Sequence, residues 1–104
     1  FDDDISSVCA AFNLKIVKNK IENIRIAYGG MAEIPKRAIF CEKILSNSLF
    51  TEEIIDKAKE ALEKDFKPIS DMRATRAYRM EVAKNLLEKC FIEIKQKKLI
   101  GLNV

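Results

Sequence analysis

The sequence contains no histidine. That removes the commonest general base near neutral pH and the commonest metal ligand. Its three cysteines, Cys9, Cys41 and Cys90, are scattered, and no Cys-x-x-Cys spacing exists. Neither a zinc site nor an iron–sulfur site follows from such spacing. An odd number of thiols without a secretion signal points to a reducing, cytoplasmic compartment, with all three expected as small core residues. No apolar run approaches the length of a membrane span, and no signal peptide is visible. The net charge is only +3, too small and too dispersed for a dedicated nucleic-acid binder. No nucleic acid and no membrane are therefore expected as partners. Catalytic pairings are missing as well: there is no Ser-His or Cys-His pairing, and no carboxylate pair whose separation follows from helix spacing. The first residue is Phe1 rather than Met, which suggests a piece or a processed product of a longer chain.

What is present suits one compact domain of 104 residues, 48% hydrophobic and 34% charged. Its organising stretch runs from Asp4 to Met31. Val8, Ala10, Phe12, Leu14 and Ile16 share one parity, and Asn13 and Lys15 the other. A period of two is the mark of a strand with one buried face. After Lys18-Asn19-Lys20 a second alternating run carries Ile24, Ile26 and Tyr28. So short a polar link predicts an antiparallel hairpin turning at Asn19, and the second strand stops at Gly29-Gly30. An isolated hairpin is marginal in water and needs a cover.

The remainder supplies that cover. Glu33-Ile34-Pro35 predicts the start of a first helix, in which Ala38, Cys41 and Leu45 recur at helical spacing up to Ser46-Asn47-Ser48. Thr51 is a good N-cap for a second helix, with Glu52 and Glu53 in its first turn and Phe50 and Ile55 placed as a hydrophobic staple. Its buried stripe is Ile55, Ala58 and Leu62, with Glu53–Lys57 and Glu60–Lys64 as favourable pairs on the wet side. Lys67-Pro68 ends it. A third, longest helix is capped by Ser70 and carries Met80, Ala83, Leu87, Cys90 or Phe91, and Ile94 inward. Residues 1–95 thus form the domain and 96–104 a basic, then apolar tail. Strands first and helices afterwards predict an α+β two-layer sandwich, a small antiparallel sheet with three helices packed on one face.

Three motifs carry chemical potential. Asp2-Asp3-Asp4 can bind a hard cation, tune a redox group or simply be solvated. Tyr28-Gly29-Gly30-Met31 indicates positive backbone torsions or a close approach, without the spacing of a dinucleotide fingerprint or a P-loop lysine. Arg73, Arg76 and Arg79 fall three residues apart at the start of the third helix, where cations oppose the dipole. They are open to an intramolecular pairing or to an anionic partner, and Tyr78 beside them reads as half core and half hydrogen-bond donor.

In combination, Phe1-Asp2-Asp3-Asp4-Ile5-Ser6, Val8-Cys9-Ala10-Ala11-Phe12 and Arg25-Ile26-Ala27-Tyr28-Gly29-Gly30-Met31-Ala32 resemble the start of one domain. So do Pro35-Lys36-Arg37-Ala38, Ser70-Asp71-Met72-Arg73-Ala74 and Tyr78-Arg79 further on. This is the C-terminal domain of the flavin-binding subunit of bacterial xanthine dehydrogenase and, more broadly, of carbon monoxide dehydrogenase-type flavoproteins. The resemblance runs from Phe1 to about Lys95 and implies the same two-layer fold. It also implies a place in a molybdenum hydroxylase, where purine is oxidised at a molybdenum–pterin centre in a large subunit. Electrons then pass through two-iron two-sulfur clusters to FAD and on to NAD. The implied partners are an upstream FAD-binding domain, an iron–sulfur domain and the molybdenum-binding subunit. It places the acidic segment near the isoalloxazine edge, with Asp3 and Asp4 as the flavin-facing residues. The isolated domain is expected to be inactive. The alternative is a freestanding module that binds an anionic partner through Arg73, Arg76 and Arg79.

Overall fold

The computed structural model describes residues 8–32, 34–66 and 73–99. Two long strands, β1 (Cys9–Val17) and β2 (Lys20–Gly29), are followed by a two-residue strand β3 (Lys36–Arg37). Three helices come after them: α1 (Ile39–Leu45), α2 (Glu52–Asp65) and α3 (Arg73–Leu99). The strands form one antiparallel sheet in the order β1-β2-β3. The α+β architecture expected from the sequence is the one observed.

The hairpin turns on two residues, Lys18 at φ 51° and Asn19 at φ 65°. Positive φ at both centres is the torsion pattern of a type I′ turn, whose twist matches that of the flanking strands. In β1 the parity is as expected, with Phe12, Leu14 and Ile16 half-buried and packed on the core while Ala11, Asn13 and Lys15 are exposed. In β2 the alternation breaks. Lys15 pairs with Asn23 but Ile16 pairs with Ile21, so Glu22 is extra. This bulge lets odd-numbered Ile21 and even-numbered Ile24 and Ile26 all face inward.

The core gathers Ile21, Ile26, Tyr28, Cys41, Leu45, Leu62, Leu87 and Phe91, each essentially closed to solvent. Thr51 caps α2 by accepting from the Ile54 N–H at 3.3 Å, and Ala58 and Leu62 are buried as the stripe predicts. The helix following Pro35 starts later than the sequence suggests. Lys36 and Arg37 pair with Tyr28 and Ala27 as β3, and α1 begins only at Ile39. Cys9 departs from its expected place: it points to the exposed face of β1, while Cys41 is buried and Cys90 half-buried. The ion pairs also differ from those expected along α2. Carboxylates reach other helices instead, as in Lys59–Glu88 at 2.8 Å and Lys95–Glu52 at 3.1 Å. The expected Ser70 cap and the 100–104 end of the tail lie outside the described residues.

Lysine is a poor occupant of a left-handed position, which costs an ordinary side chain about 1–2 kcal/mol. The paired substitution Lys18→Asn and Asn19→Gly should therefore raise stability by about 1 kcal/mol. A thermal or urea melt reads this directly, and an unchanged midpoint would mean the turn is unstrained.

Candidate functional site

The glycine end of the hairpin is where the sequence motifs converge. Cys9, the first residue of β1, pairs with Gly29, the last of β2. A side chain on Gly29 would put its Cβ 2.9 Å from the Cys9 sulfur, so the glycine leaves room for that thiol. Gly30 follows at φ 86° and turns the chain out of the sheet. Its carbonyl accepts from Arg79 Nη1 at 2.7 Å. The arginine run is thus partly accounted for: Arg79 clamps the glycine bend. Arg76 keeps a buried Nε without a hydrogen-bond partner among the described residues, and the Arg73 side chain lies outside them. Asp3 and Asp4 precede Val8 and also lie outside the described residues. Tyr78 is 67% exposed, so it is a surface residue and not the half-core donor expected.

Tyr28 makes the donor contact instead. Its hydroxyl donates to the Ala83 carbonyl at 2.7 Å, and its ring meets Phe12 and Phe66 edge-on. Sheet and α3 are therefore joined by a buried hydrogen bond inside an aromatic cluster. Burial first, and then the neighbouring Cys41, Cys90 and Asp65, push its phenol far above the ordinary tyrosine range.

Two buried carboxylates went unnoticed in the sequence. Glu42, on α1, accepts from the Ile26 backbone N–H at 2.8 Å and from Arg37 through both oxygens, at 3.1 and 2.6 Å. Asp65, at the end of α2, accepts from the Phe40 and Cys41 N–H groups at 2.7 and 2.9 Å. It thereby caps α1, whose own N-cap is Ala38 with no side chain to offer. Both oxygens of each carboxylate are engaged by protein donors, so these are structural groups. Spacing alone hides them, because a charged residue on a buried stripe breaks the pattern on which periodicity relies. Among the described residues, no cluster of His, Cys, Asp or Glu is arranged to hold a metal ion. No described helix is long and apolar enough to cross a membrane.

At the opposite end, Asn19, Phe50, Phe91 and Ile92 help line an open groove of about 580 Å³, which Glu52, Asp56, Glu88 and Lys95 also border.

The family model for the CO dehydrogenase flavoprotein C-terminal domain matches residues 1–94. The chain belongs to this family. It is 32% identical over 91 residues to the glyceraldehyde dehydrogenase medium chain of Sulfolobus acidocaldarius, covering 88% of this chain and 32% of that one. Quinoline 2-oxidoreductase from Pseudomonas putida 86 superposes with a TM-score of 0.70 at 26% identity, over 86% of this chain and 31% of that one. CO dehydrogenase from Oligotropha carboxidovorans gives 0.68 at 27%, over 79% and 29%. The chain therefore spans about a third of the length of each of these relatives. A flavoprotein C-terminal domain is what the sequence motifs implied, and the fold agrees with it.

Two outcomes follow from this geometry. Gly30→Val places a β-branched residue at φ 86° beneath the Arg79 clamp, and it should cost about 2 kcal/mol or more in a denaturant melt. The second outcome concerns pH. Burial, with Asp65 and Glu42 adding to it, pushes the Cys41 thiol from 9.0 up to about 12. The unfolded chain then loses the thiol proton first, so this stabilisation is complete below pH 9 and is lost between about 9 and 12. Stability should fall over that window, and less steeply in Cys41→Ala.

Proposed function

We propose that this domain is the C-terminal part of the FAD-binding subunit of a molybdenum hydroxylase, serving as support rather than as a reaction centre. The match over residues 1–94 carries this reading. The internal use of the strongest polar groups agrees with it: Glu42, Asp65, Arg79 and Tyr28 are all spent on holding the fold.

Two of the arginines are used inside the fold rather than offered to a flavin diphosphate: Arg79 is committed to Gly30 and Arg37 to Glu42. The groove at the other end has three carboxylates among its lining residues, which would repel a diphosphate. The arrangement suits a domain that flanks a flavin gripped by another part of the subunit. When bound, FAD supplies the two-electron carrier; the part assigned to this chain is electrostatic and steric. Asp3 and Asp4 are proposed to face the flavin edge, where their charge disfavours a reduced anionic flavin and shapes access of the nicotinamide.

For the parent enzyme we propose xanthine as substrate and NAD as acceptor, with iron–sulfur and molybdenum–pterin centres in partner domains and a cytoplasmic location. The support is the ordered set of motifs from Phe1 to Arg79. Relatives named for glyceraldehyde, quinoline and CO define the competing outcomes. The complete enzyme should release FAD on denaturation, read as flavin fluorescence of the supernatant, and should turn over xanthine with NAD. Absence of releasable flavin would overturn the flavin assignment, and turnover of an aldehyde, quinoline or CO instead would overturn the purine assignment alone. In the complete subunit, Asp3→Asn should raise the flavin reduction potential or change the KM for NAD. No change in either would remove Asp3 from the flavin's surroundings.

A further inference from the structure

β1 is an outer strand of the sheet, and nothing among the described residues pairs with its far edge. The hydrogen-bond pattern fixes which of its backbone groups point that way. Two residues of β2 commit both N–H and carbonyl to groups outside β1: Ile21 to Ser48 and Asn47, and Ile26 to Glu42 and Ala38. The pairs Ile16–Ile21 and Phe12–Ile26 are therefore the non-hydrogen-bonded ones of the alternating ladder. β1 keeps a single parity throughout, because the extra residue of the bulge lies in β2. The N–H and carbonyl groups of Ala10, Phe12, Leu14 and Ile16 thus face away from β2, toward the free edge.

The side chains along this strand show an incomplete cover. Phe12, Leu14 and Ile16 are half-buried, whereas Ile24, Ile26 and Tyr28 beside them in β2 are buried. The helical layer closes over β2 and stops short over β1. One further strand would extend that apolar row and bring Phe12, Leu14 and Ile16 under cover. The strand also lacks the usual protection of a sheet edge. It is nine residues long, contains no proline and has Lys15 as its only charge.

The occupant follows from the charge of the hairpin. Lys15, Lys18, Lys20 and Arg25 are exposed on it, with Glu22 as its one carboxylate. None of these cations takes part in an ion pair among the described residues. A second copy would place two such basic hairpins side by side, whereas an acidic strand would be drawn to this one. We propose that the free edge of β1 accepts an extended partner segment in which apolar and acidic residues alternate. Its apolar side chains lie beside Phe12, Leu14 and Ile16 on the helix side, and its carboxylates lie beside Lys15 on the outer face. Its backbone continues the ladder, as in strand addition to a sheet edge.

The test is a titration of the isotope-labelled chain with a peptide of alternating valine and glutamate, read by amide hydrogen exchange in NMR spectra. Saturable binding is expected, with exchange slowed about tenfold or more at Phe12 and Leu14, whose amides the new strand engages. Asn13, whose backbone groups face β2, should change little. Lys15→Glu should weaken binding about fivefold, and the same peptide with alternate backbone amides N-methylated should not bind. Lys15 is exposed, so the variant should melt like the parent. No saturable binding, unchanged exchange at Phe12 and Leu14, or equal affinity in Lys15→Glu would overturn the proposal. So would a dimeric free chain in which both amides already exchange slowly, because a second copy would then hold the edge. No flavin enters the measurement, so the flavin assignment stands or falls separately.

Discussion

The Ile26 backbone amide is the point on which the architecture turns. β3 is only two residues long, so it covers β2 at Ala27 and Tyr28 and then stops. The Ile26 carbonyl is met by the Ala38 N–H at 2.8 Å, but the Ile26 N–H finds no backbone partner there. Glu42 reaches it from α1 and holds Arg37 with the same carboxylate. A buried N–H left unpaired costs about 1–3 kcal/mol. One side chain therefore completes the sheet edge, orients β3 and fixes where α1 sits. Further along, the loop after α1 continues the same edge, with Ile21 bonded in both directions to Ser48 and Asn47. Asn47 manages this at φ 61°, a torsion that asparagine tolerates better than most residues.

The second constraint joins the layers. Tyr28 is fully buried, so its hydroxyl must find an acceptor, and it takes one from the backbone of α3. That bond sets the helix both in rotation and along its axis. With Arg79 on the Gly30 carbonyl one turn earlier, the start of α3 is fixed at two points to the glycine end of the hairpin. The far end is held by packing of Phe91 against Phe50 and by the ion pairs Lys59–Glu88 and Lys95–Glu52 between α2 and α3.

Where the chain obeys a simple period, the sequence could be read closely. The parity of β1, the Thr51 cap, the stripe of α2 and the inward residues of α3 all follow from spacing. The misreadings share a physical cause, a local feature answering to a distant one. The Glu22 bulge shifts the parity of β2, so Ile21 was missed. Pro35 to Arg37 resembles a helix start, but β2 offers a free edge and draws Lys36 and Arg37 into the sheet. Asp65 caps α1 from across a loop, which no spacing rule within either helix could reveal. Cys9 was expected inside by residue type, yet its odd parity in β1 already placed it with Ala11 and Asn13 on the outer face. The flavoprotein resemblance was legible because it rests on an ordered set of motifs. The acidic leader at its start lies outside the described residues, and its role stays a proposal.

The titration behaviour of the interior bears on what such a domain can contribute to a redox enzyme. The chain has no histidine, and burial pushes the thiols of Cys41 and Cys90 up to about 12 and about 11. The Tyr28 phenol moves the same way. Each of these interior groups stays neutral through the physiological range and exchanges no proton there. The buried carboxylates Glu42 and Asp65 have their oxygens tied to backbone or guanidinium donors. A core built in this way offers no thiol or phenol that titrates near neutral pH, so it forms a steric boundary and would make a poor proton relay.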